Sequence, residues 1–328
     1  MIRAGLQIPN FTYPGVGDHE LFEAVAGAAV AAEAAGFDTV LVMDHFYQLP
    51  GLGTPDDPML EAYTLLGGIA ARTERVNLGT LVTGVTYRNP AMLAKIVTTL
   101  DVISKGRAFL GIGAAWFDVE HEALGFDFPP VKERFDRLDE ALQICTAMFR
   151  GENPTFEGVH YRVKDAHNVP QPVREGGPPI LIGGQGEKRT MPLMARYADH
   201  ANLMAEPAVL DAKMAALDAA CRAEGRDRAT LSVSPLVFLF AADDAGAAED
   251  KIQAFGEARG MDWRGMDEAA RTAIGGRFVI GDPESCAAQL KERYLDRGCD
   301  GICVNLPADA ADVTAVQRAG RILADALS

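Results

Sequence analysis

The segment PPILIGGQGEKRTMPLMARYADHANL (Pro178–Leu203) decides the fold, because it contains one complete strand–helix–strand unit. Pro179–Ile182 and His200–Leu203 are short apolar runs of the length typical of buried strands, and Glu187–Tyr197 between them is helical in character. Two strands joined by a helical crossover lie parallel in one sheet, with a right-handed connection. The segment therefore predicts an α/β protein with a parallel sheet.

The same alternation extends outward in both directions along the 328-residue chain. The predicted strands are Arg3–Ile8, Thr39–Met43, Val76–Val82, Arg107–Ile112, Pro179–Ile182, His200–Leu203, Leu231–Phe240 and Gly301–Val304. The predicted helices are Glu20–Ala35, Met59–Arg72, Asn89–Ser104, Val131–Phe149, Glu187–Tyr197, Ala208–Glu224, Pro283–Arg297 and Ala310–Leu327. Eight such units can close into a (β/α)8 TIM barrel. An open doubly wound sheet is the alternative, but no G-x-G-x-x-G follows the first strand.

Two segments interrupt this alternation. Thr155–Val163 has the alternating character of a hairpin inserted before the fifth strand, and Ala245–Gly276 is irregularly helical. A loop with aromatic residues is expected after the fourth strand. No break in composition separates one part of the chain from another, so we expect a single domain over residues 1–328.

Composition and charge exclude several classes of partner. The chain has 31 basic and 46 acidic residues, and its net charge of −15 disfavours nucleic acid and anionic membrane surfaces. The N-terminal MIRAGLQIPNF lacks the apolar run of a signal peptide, and no stretch is long enough to span a membrane. Five cysteines without C-x-x-C spacing favour a reducing compartment. We expect a soluble, cytoplasmic protein.

Functional residues of a barrel lie in the loops that follow its strands. Asp44 and His45 follow the second strand, where a carboxylate beside a histidine suits proton exchange near neutral pH. A capping aspartate beside a packing histidine is an equally good interpretation of this pair. The other polar strand-end candidates are Asn10, Thr83, Thr86, Trp116 and Asn202.

Two glycine-rich turns are candidates for binding a cofactor. Gly183, Gly184, Gln185 and Gly186 precede a helix, where converging N–H groups together with Lys188 and Arg189 suit a phosphate. A tight turn with two solvated charges is the alternative. Gly113 and Ala114, in GIGAA (Gly111–Ala115), leave a patch almost free of side chains that a flat ring could approach, although close helix–strand packing explains it equally well.

The run Glu120-His121-Glu122 suggests a metal site only at first sight. Consecutive helical residues point in different directions, and no second histidine stands at a ligand spacing. We therefore interpret the run as a solvated helix face and expect no bound metal.

Several stretches in a fixed order give the chain a family resemblance. It resembles the bacterial luciferase-like superfamily, particularly the branch that uses the deazaflavin coenzyme F420. The similar stretches are VLVMDHF (Val40–Phe46), ERVNLGTLVTGVTYRNPAMLAK (Glu74–Lys95), GRAFLGIGAAWFDVEHEALGFDFP (Gly106–Pro129), the segment Pro178–Leu203 and FVIGDPESCAAQL (Phe278–Leu290). They span most of the chain.

The resemblance implies a barrel with the deazaflavin ring over its C-terminal mouth. It also implies a non-prolyl cis peptide after the third strand, at Leu81–Val82 by position, which together with Thr83 would support the ring. Asp44 and His45 match the family's active-site pair, and the turn containing Gly183, Gly184, Lys188 and Arg189 matches its phosphate loop. Members of the family are often dimers, so the resemblance also implies a homodimer with helices near strands two to four at the interface.

One departure from the family pattern bears on the chemistry. Trp116 stands where the sugar-phosphate dehydrogenases of the family carry a catalytic glutamate, so the proton step lacks an obvious carboxylate unless Asp118 or Glu120 supplies it. The leading hypothesis is hydride transfer between F420 and a small carbonyl, alkene or alcohol, with His45 handling the proton and Asp44 orienting the site. The alternatives are an FMN-dependent two-component monooxygenase and a non-catalytic cofactor-binding protein.

Overall fold

The fold is a closed barrel of eight parallel strands surrounded by helices. The computed structural model describes residues 2–309 and 311–328, so Ala310, the first residue of the predicted last helix, lies outside the described residues. The strands are β1 (Ala4–Ile8), β2 (Thr39–Val42), β3 (Asn77–Thr80), β4 (Leu110–Gly113), β5 (Ile180–Gly183), β6 (His200–Leu203), β7 (Ser232–Ala241) and β8 (Ile302–Asn305).

Strand pairing confirms the predicted barrel and excludes the open sheet. The hydrogen-bonded order is β3-β2-β1-β8-β7-β6-β5-β4, and every pairing in it is parallel. The circle closes where Leu78 of β3 bridges Ala108, just before β4. After a bend, the short strand Thr83–Gly84 continues beyond β3 and pairs with the end of β4.

The seam between β3 and β4 depends on glycine. A Cβ at Gly111 would lie 1.9 Å from the carbonyl oxygen of Thr80, so no larger residue fits there. A Cβ at Gly79 would lie 2.6 Å from the ring of Phe109, which occupies that space. These small residues let the two strands approach closely enough for the barrel to close.

Helices cover the outside of the barrel. They are α1 (Leu21–Ala34), α2 (Ala62–Ala70), α3 (Pro90–Ile103), α4 (Asp118–Leu124), α5 (Val131–Phe149), α6 (Thr190–Tyr197), α7 (Pro207–Ala223), α8 (Ala245–Glu257), α9 (Glu268–Gly275), α10 (Pro283–Arg293) and α11 (Val313–Ala326). Caps fix their starts: Asn89 accepts hydrogen bonds from the N–H groups of Ala91 and Met92, with Pro90 at the first position of α3. No helix in the described ranges is long and apolar enough to cross a membrane.

The barrel interior has an apolar lower layer and a partly polar upper layer. The lower layer is formed by the buried side chains of Ile2, Leu41, Leu81, Phe109, Leu181, Leu236 and Cys303. Above it, Gln7, Asn202 and Asn305 are buried near the C-terminal ends of their strands. These polar side chains lie at the C-terminal ends of the strands, where (β/α)8 barrels carry their ligand-binding sites.

The structure defines the segments that interrupt the regular alternation. The hairpin is confirmed, with Phe156–Glu157 antiparallel to Arg162–Val163. The irregular segment contains α8 and α9, and the strand that follows them, Phe278–Gly281, pairs in parallel with the outer part of β7. The aromatic loop after β4 leads within a few residues into helix α4, which the alternation of long elements did not reveal because it has only seven residues.

Candidate active site

A cavity of about 330 Å³ opens at the C-terminal ends of the strands. The candidate residues that line it are Asp44, His45, Leu81, Val82, Thr83, Gly113, Ala114, Trp116, Gly183, Gly184 and Asn202. The lining does not include Gln185, Gly186, Lys188 or Arg189 of the predicted phosphate loop, nor the strand-end candidates Asn10 and Thr86. The structure therefore brings most of the strand-end candidates together around one space.

His45 meets a carboxylate that is distant in sequence. Its Nδ1–H donates to Oε1 of Glu120 at 2.7 Å, and the imidazole is 12% exposed. Among the described residues, Nε2 has no hydrogen-bonding partner, and the ring lies in the cavity wall. Trp116 contacts the imidazole edge-on with 5.9 Å between ring centroids, so the histidine is fixed in one orientation.

Glu120 is the centre of this part of the site. Its carboxylate also accepts hydrogen bonds from the Tyr87 hydroxyl and from the backbone N–H groups of Phe46 at 2.7 Å and Tyr47 at 3.3 Å. Burial raises the pKa of Glu120, but the hydrogen bonds from His45, Tyr87 and Phe46 outweigh burial and hold the pKa below its ordinary value. The carboxylate is therefore ionised and fully committed at neutral pH.

The prediction of a solvated face at residues 120–122 is wrong. Glu120 and His121 are fully buried, and only Glu122 is exposed. The Nδ1–H of His121 donates to the carbonyl oxygen of Phe117 at 2.6 Å, and its Nε2 is hydrogen-bonded to Thr86 Oγ1 at 2.7 Å. Gly125, which ends α4 in the left-handed conformation, is the sequence signal for a short helix that could have revealed this packing.

Asp44 contacts a different partner from the one predicted. It does not hydrogen-bond to the His45 imidazole; Arg88 donates to its two oxygens at 2.7 and 3.0 Å, and Arg88 also donates to Glu61 at 2.6 Å. Burial raises the pKa of Asp44, and the Arg88 guanidinium opposes that shift. The carboxylate that orients the histidine ring is thus Glu120, whereas Asp44 ties the loop after β2 to the loop after β3.

Two glycines make room for Val82 in the floor of the cavity. The Leu81–Val82 peptide bond is cis, as the resemblance implies. A Cβ at Gly183 would lie 2.9 Å from Cγ1 of Val82, and a Cβ at Gly113 would lie 3.0 Å from Cγ2. The small residues that end β4 and β5 therefore let one valine project between them.

The predicted phosphate loop lies beside the cavity at the start of α6. Gly184 has φ +137°, which side-chain-bearing residues rarely adopt, and a Cβ at Gly186 would lie 2.9 Å from Oγ1 of Thr190. The Arg189 guanidinium donates to Asp136 of α5, while Lys188 is exposed. The backbone conformation suits an anion, and Lys188 is the more available of the two cations.

The polar layer lines the cavity and contains unpaired acceptors. Gln7 donates to the carbonyl oxygen of Leu81 at 3.0 Å and accepts from the Asn305 amide at 2.9 Å, and Asn202 donates to Ser234. The carboxamide oxygens Oδ1 of Asn202 and of Asn305 are buried without any partner in the described structure. Since buried acceptors are normally satisfied, these two fit the N–H groups of a bound ring system.

No metal centre accompanies these groups. In the ranges 2–309 and 311–328, no cluster of three or more His, Cys, Asp or Glu side chains is placed to hold a metal ion. The five cysteines are all buried thiols without disulfide bonds.

The fold and the site define a (β/α)8-barrel protein whose mouth pairs a histidine–glutamate dyad with a glycine-lined cradle. The sequence model of the family described as luciferase-like monooxygenase matches residues 3–301. The chain belongs to this family, which confirms the resemblance.

Comparisons with individual proteins narrow the family relationship. The chain is 30% identical over 303 residues to an F420-dependent glucose-6-phosphate dehydrogenase of Intrasporangium calvum, covering 85% of this chain and 87% of that protein. It is 39% identical over 173 residues to the enzyme of the same name from Microbacterium testaceum, a match that spans 52% of this chain and about half (49%) of that protein. Its fold is similar to that of an F420-dependent secondary alcohol dehydrogenase in complex with an F420–acetone adduct, with a TM-score of 0.78, 20% identity and coverage of 100% and 99%.

Proposed function

We propose that the chain is an oxidoreductase that transfers a hydride between coenzyme F420 and a small organic substrate. The observation that carries the proposal is the His45–Glu120 pair in the wall of a cavity whose floor is built for a flat ring. The F420 dependence named for the Intrasporangium calvum relative, which aligns along most of its length, supports the choice of cofactor.

The residues of the mouth fit the deazaflavin. Val82 between Gly113 and Gly183 would support the ring, and the unpaired Oδ1 atoms of Asn202 and Asn305 would accept hydrogen bonds from it. The turn Gly183–Gly186, with Lys188 at the start of α6, would hold the phosphate. When bound, the cofactor supplies a ring carbon that accepts or donates a hydride.

His45 handles the proton. Because its Nδ1–H is committed to Glu120, the neutral ring presents Nε2 as an acceptor towards the cavity. Nε2 can take the hydroxyl proton of an alcohol as the carbon loses its hydride, and can return a proton to a carbonyl oxygen in the reverse direction. The Glu120 carboxylate stabilises the imidazolium formed in the forward direction, so no carboxylate is required at the position of Trp116.

Asp44 acts through the backbone and not through the imidazole. Its bidentate ion pair with Arg88, itself paired with Glu61, fixes the loop that carries His45. Because the planar Arg88 guanidinium binds both carboxylate oxygens of Asp44, it fixes the orientation of the carboxylate as well as its distance. We therefore assign Asp44 a positioning role.

Equilibrium titration with F420 and, separately, with FMN tests the proposal. The chain has two tryptophans; Trp116 is 61% exposed at the cavity, whereas Trp263 is buried, so quenching of Trp116 fluorescence reports a ring bound at the mouth. Preferential binding of F420, followed by its reduction when secondary alcohols are added, is the expected result. Preference for FMN with oxygen consumption would favour the monooxygenase, and tight F420 binding without turnover would favour a non-catalytic binding protein.

We also propose a single-domain, cytoplasmic enzyme that acts as a homodimer on a small-molecule substrate. The resemblance to a family whose members dimerise supports the oligomeric state. Light scattering on the purified protein measures it: twice the chain mass of 35.1 kDa is expected, and a monomer would contradict the proposal.

A further inference from the structure

Arg277 is a partly buried cation that the proposed chemistry does not use. It directly precedes the strand Phe278–Gly281, and its carbonyl oxygen accepts a hydrogen bond from the N–H of Phe238 in β7 at 3.0 Å. Its guanidinium carbon lies 5.0 Å from the centroid of the Phe238 ring. Phe238 lines the cavity, whereas Arg277 does not. The aromatic ring thus belongs to both the cavity wall and the surroundings of the cation.

The guanidinium is poorly satisfied where it lies. Its Nη1 is buried without a partner, and within the described residues the side chain makes no hydrogen bond and no ion pair. The guanidinium lies over the face of the Phe238 ring, and burial lowers the pKa of Arg277 although Tyr294 and Glu206 oppose that shift. Because a buried donor without a hydrogen-bonding partner is costly, an anion that reached Nη1 of Arg277 would be attracted to it.

The cavity itself offers an anion no counter-ion. Among the residues that the structure describes, neither lysine nor arginine lines it, and the only titratable side chains in its lining besides Tyr87 are Asp44 and His45, both already paired. Much of the remaining wall is apolar, including Leu49, Leu52, Trp116, Met204 and Phe238. A phosphate or carboxylate bound there would lose its hydration without gaining a charge-assisted hydrogen bond.

We propose that Phe238 is a specificity-determining residue that covers Arg277, so that the site accepts uncharged, apolar secondary alcohols and ketones and excludes phosphorylated or carboxylated ones. This inference rests on the proposed function of the same site. It separates this chain from the substrate named for its relatives, glucose 6-phosphate, which carries its charge on a phosphate.

Matched neutral and anionic probes test the inference on the F420-loaded enzyme. Cyclohexanol is compared with 4-hydroxycyclohexanecarboxylate and with glucose 6-phosphate, by rate of F420 reduction. Binding of cyclohexanone and of cyclohexanecarboxylate is measured separately by Trp116 fluorescence. We expect kcat/KM to be about 100-fold higher for cyclohexanol than for the anionic alcohols, and cyclohexanone to bind at least about 10-fold more tightly than cyclohexanecarboxylate. These factors correspond to the cost of leaving one charged group unpaired in the site. Equal or better use of an anionic probe would overturn the inference.

Two variants assign the preference to the covered cation. Phe238→Ala should improve the relative affinity for the carboxylate about 10-fold by opening a path to Arg277. The double variant Phe238→Ala/Arg277→Gln should lose that gain, since it opens the same space without the charge. A gain that persists in the double variant, or no gain in the single one, contradicts the role of Phe238. The binding comparison needs no turnover, so it tests the preference for neutral ligands even if F420 is not reduced. Failure to reduce F420 would count against the proposed function and not against this inference.

Discussion

The two sides of the barrel mouth differ in how their charged groups are satisfied. On the side formed after β2, β3 and β4, the polar side chains at the cavity have defined partners: His45 is hydrogen-bonded to Glu120, and Asp44 is ion-paired with Arg88. On the side formed by β7 and the strand Phe278–Gly281, the wall is apolar and the nearby Arg277 is left unpaired behind Phe238. Fixed hydrogen bonds on the first side suit proton transfer, whereas the apolar wall on the second side suits binding of an apolar substrate.

The two sides also have different origins in the chain. The paired side uses three successive loops, which the barrel brings together because consecutive parallel strands end at the same edge. The apolar side presents Phe238 of β7, and the segment between β7 and β8, with α8 and α9, adds an extra strand to β7 outside the barrel circle.

Removing the imidazole should have the largest effect. His45→Ala is expected to lower kcat for F420 reduction by about 10²–10⁴-fold, because the proton acceptor at Nε2 is lost. The measurement is the absorbance change of F420 with saturating alcohol. F420 affinity, followed by Trp116 fluorescence, should change little and serves as the folding control; unchanged turnover would refute the role of His45.

Neutralising the buried carboxylate should have the next largest effect. Glu120→Gln keeps the shape but removes the charge that fixes the ring and stabilises the imidazolium, so kcat should fall on the order of 100-fold. Glu122→Gln is the matched control, two residues away on the same short helix and exposed. Similar losses in both variants would show that α4 acts only as a structural support.

Filling the space beneath Val82 should weaken cofactor binding without touching the proton groups. In Gly183→Ala the added Cβ would lie 2.9 Å from Cγ1 of Val82 and displace it, so F420 affinity should fall about 10-fold. Gly27→Ala in α1 is the control, since nothing lies within 4 Å of its added Cβ. Equal F420 dissociation constants for the two variants would remove Val82 from the binding site.

The smallest expected effect is on stability as a function of pH. Because the pKa of Glu120 is held below its ordinary value of 4.5, its carboxylate stabilises the fold above that pH and loses this contribution as the pH falls through the lower, folded-state value. Wild type should exceed Glu120→Gln in Tm by about 2–4 °C at pH 7.

The difference between the two Tm curves should narrow below pH 4.5, the ordinary pKa value of the glutamate. Scanning calorimetry from pH 7 to 3, with Glu122→Gln as reference, measures it. A gap that stays constant with pH would show that ionisation of Glu120 contributes nothing to stability.

Most of the fold was predictable from the sequence, because strands and helices depend on local periodicity. The observed bounds of Val131–Phe149 and His200–Leu203 are the predicted ones. The other barrel strands start or end within a few residues of their predicted bounds. The strand Phe278–Gly281 and the helix α4 escaped prediction, since four and seven residues are too few to show a period.

What the sequence alone determined is the class of the molecule: a parallel α/β barrel, its family, and the strand ends where polar residues gather. Only the tertiary structure decided which of those residues act together. Glu120 lies 75 positions from His45 and was expected to face solvent, yet it meets the imidazole because α4 folds back over the mouth. Asp44, adjacent to His45 in sequence, instead accepts hydrogen bonds from Arg88, a partner 44 positions away that the barrel brings to the same mouth.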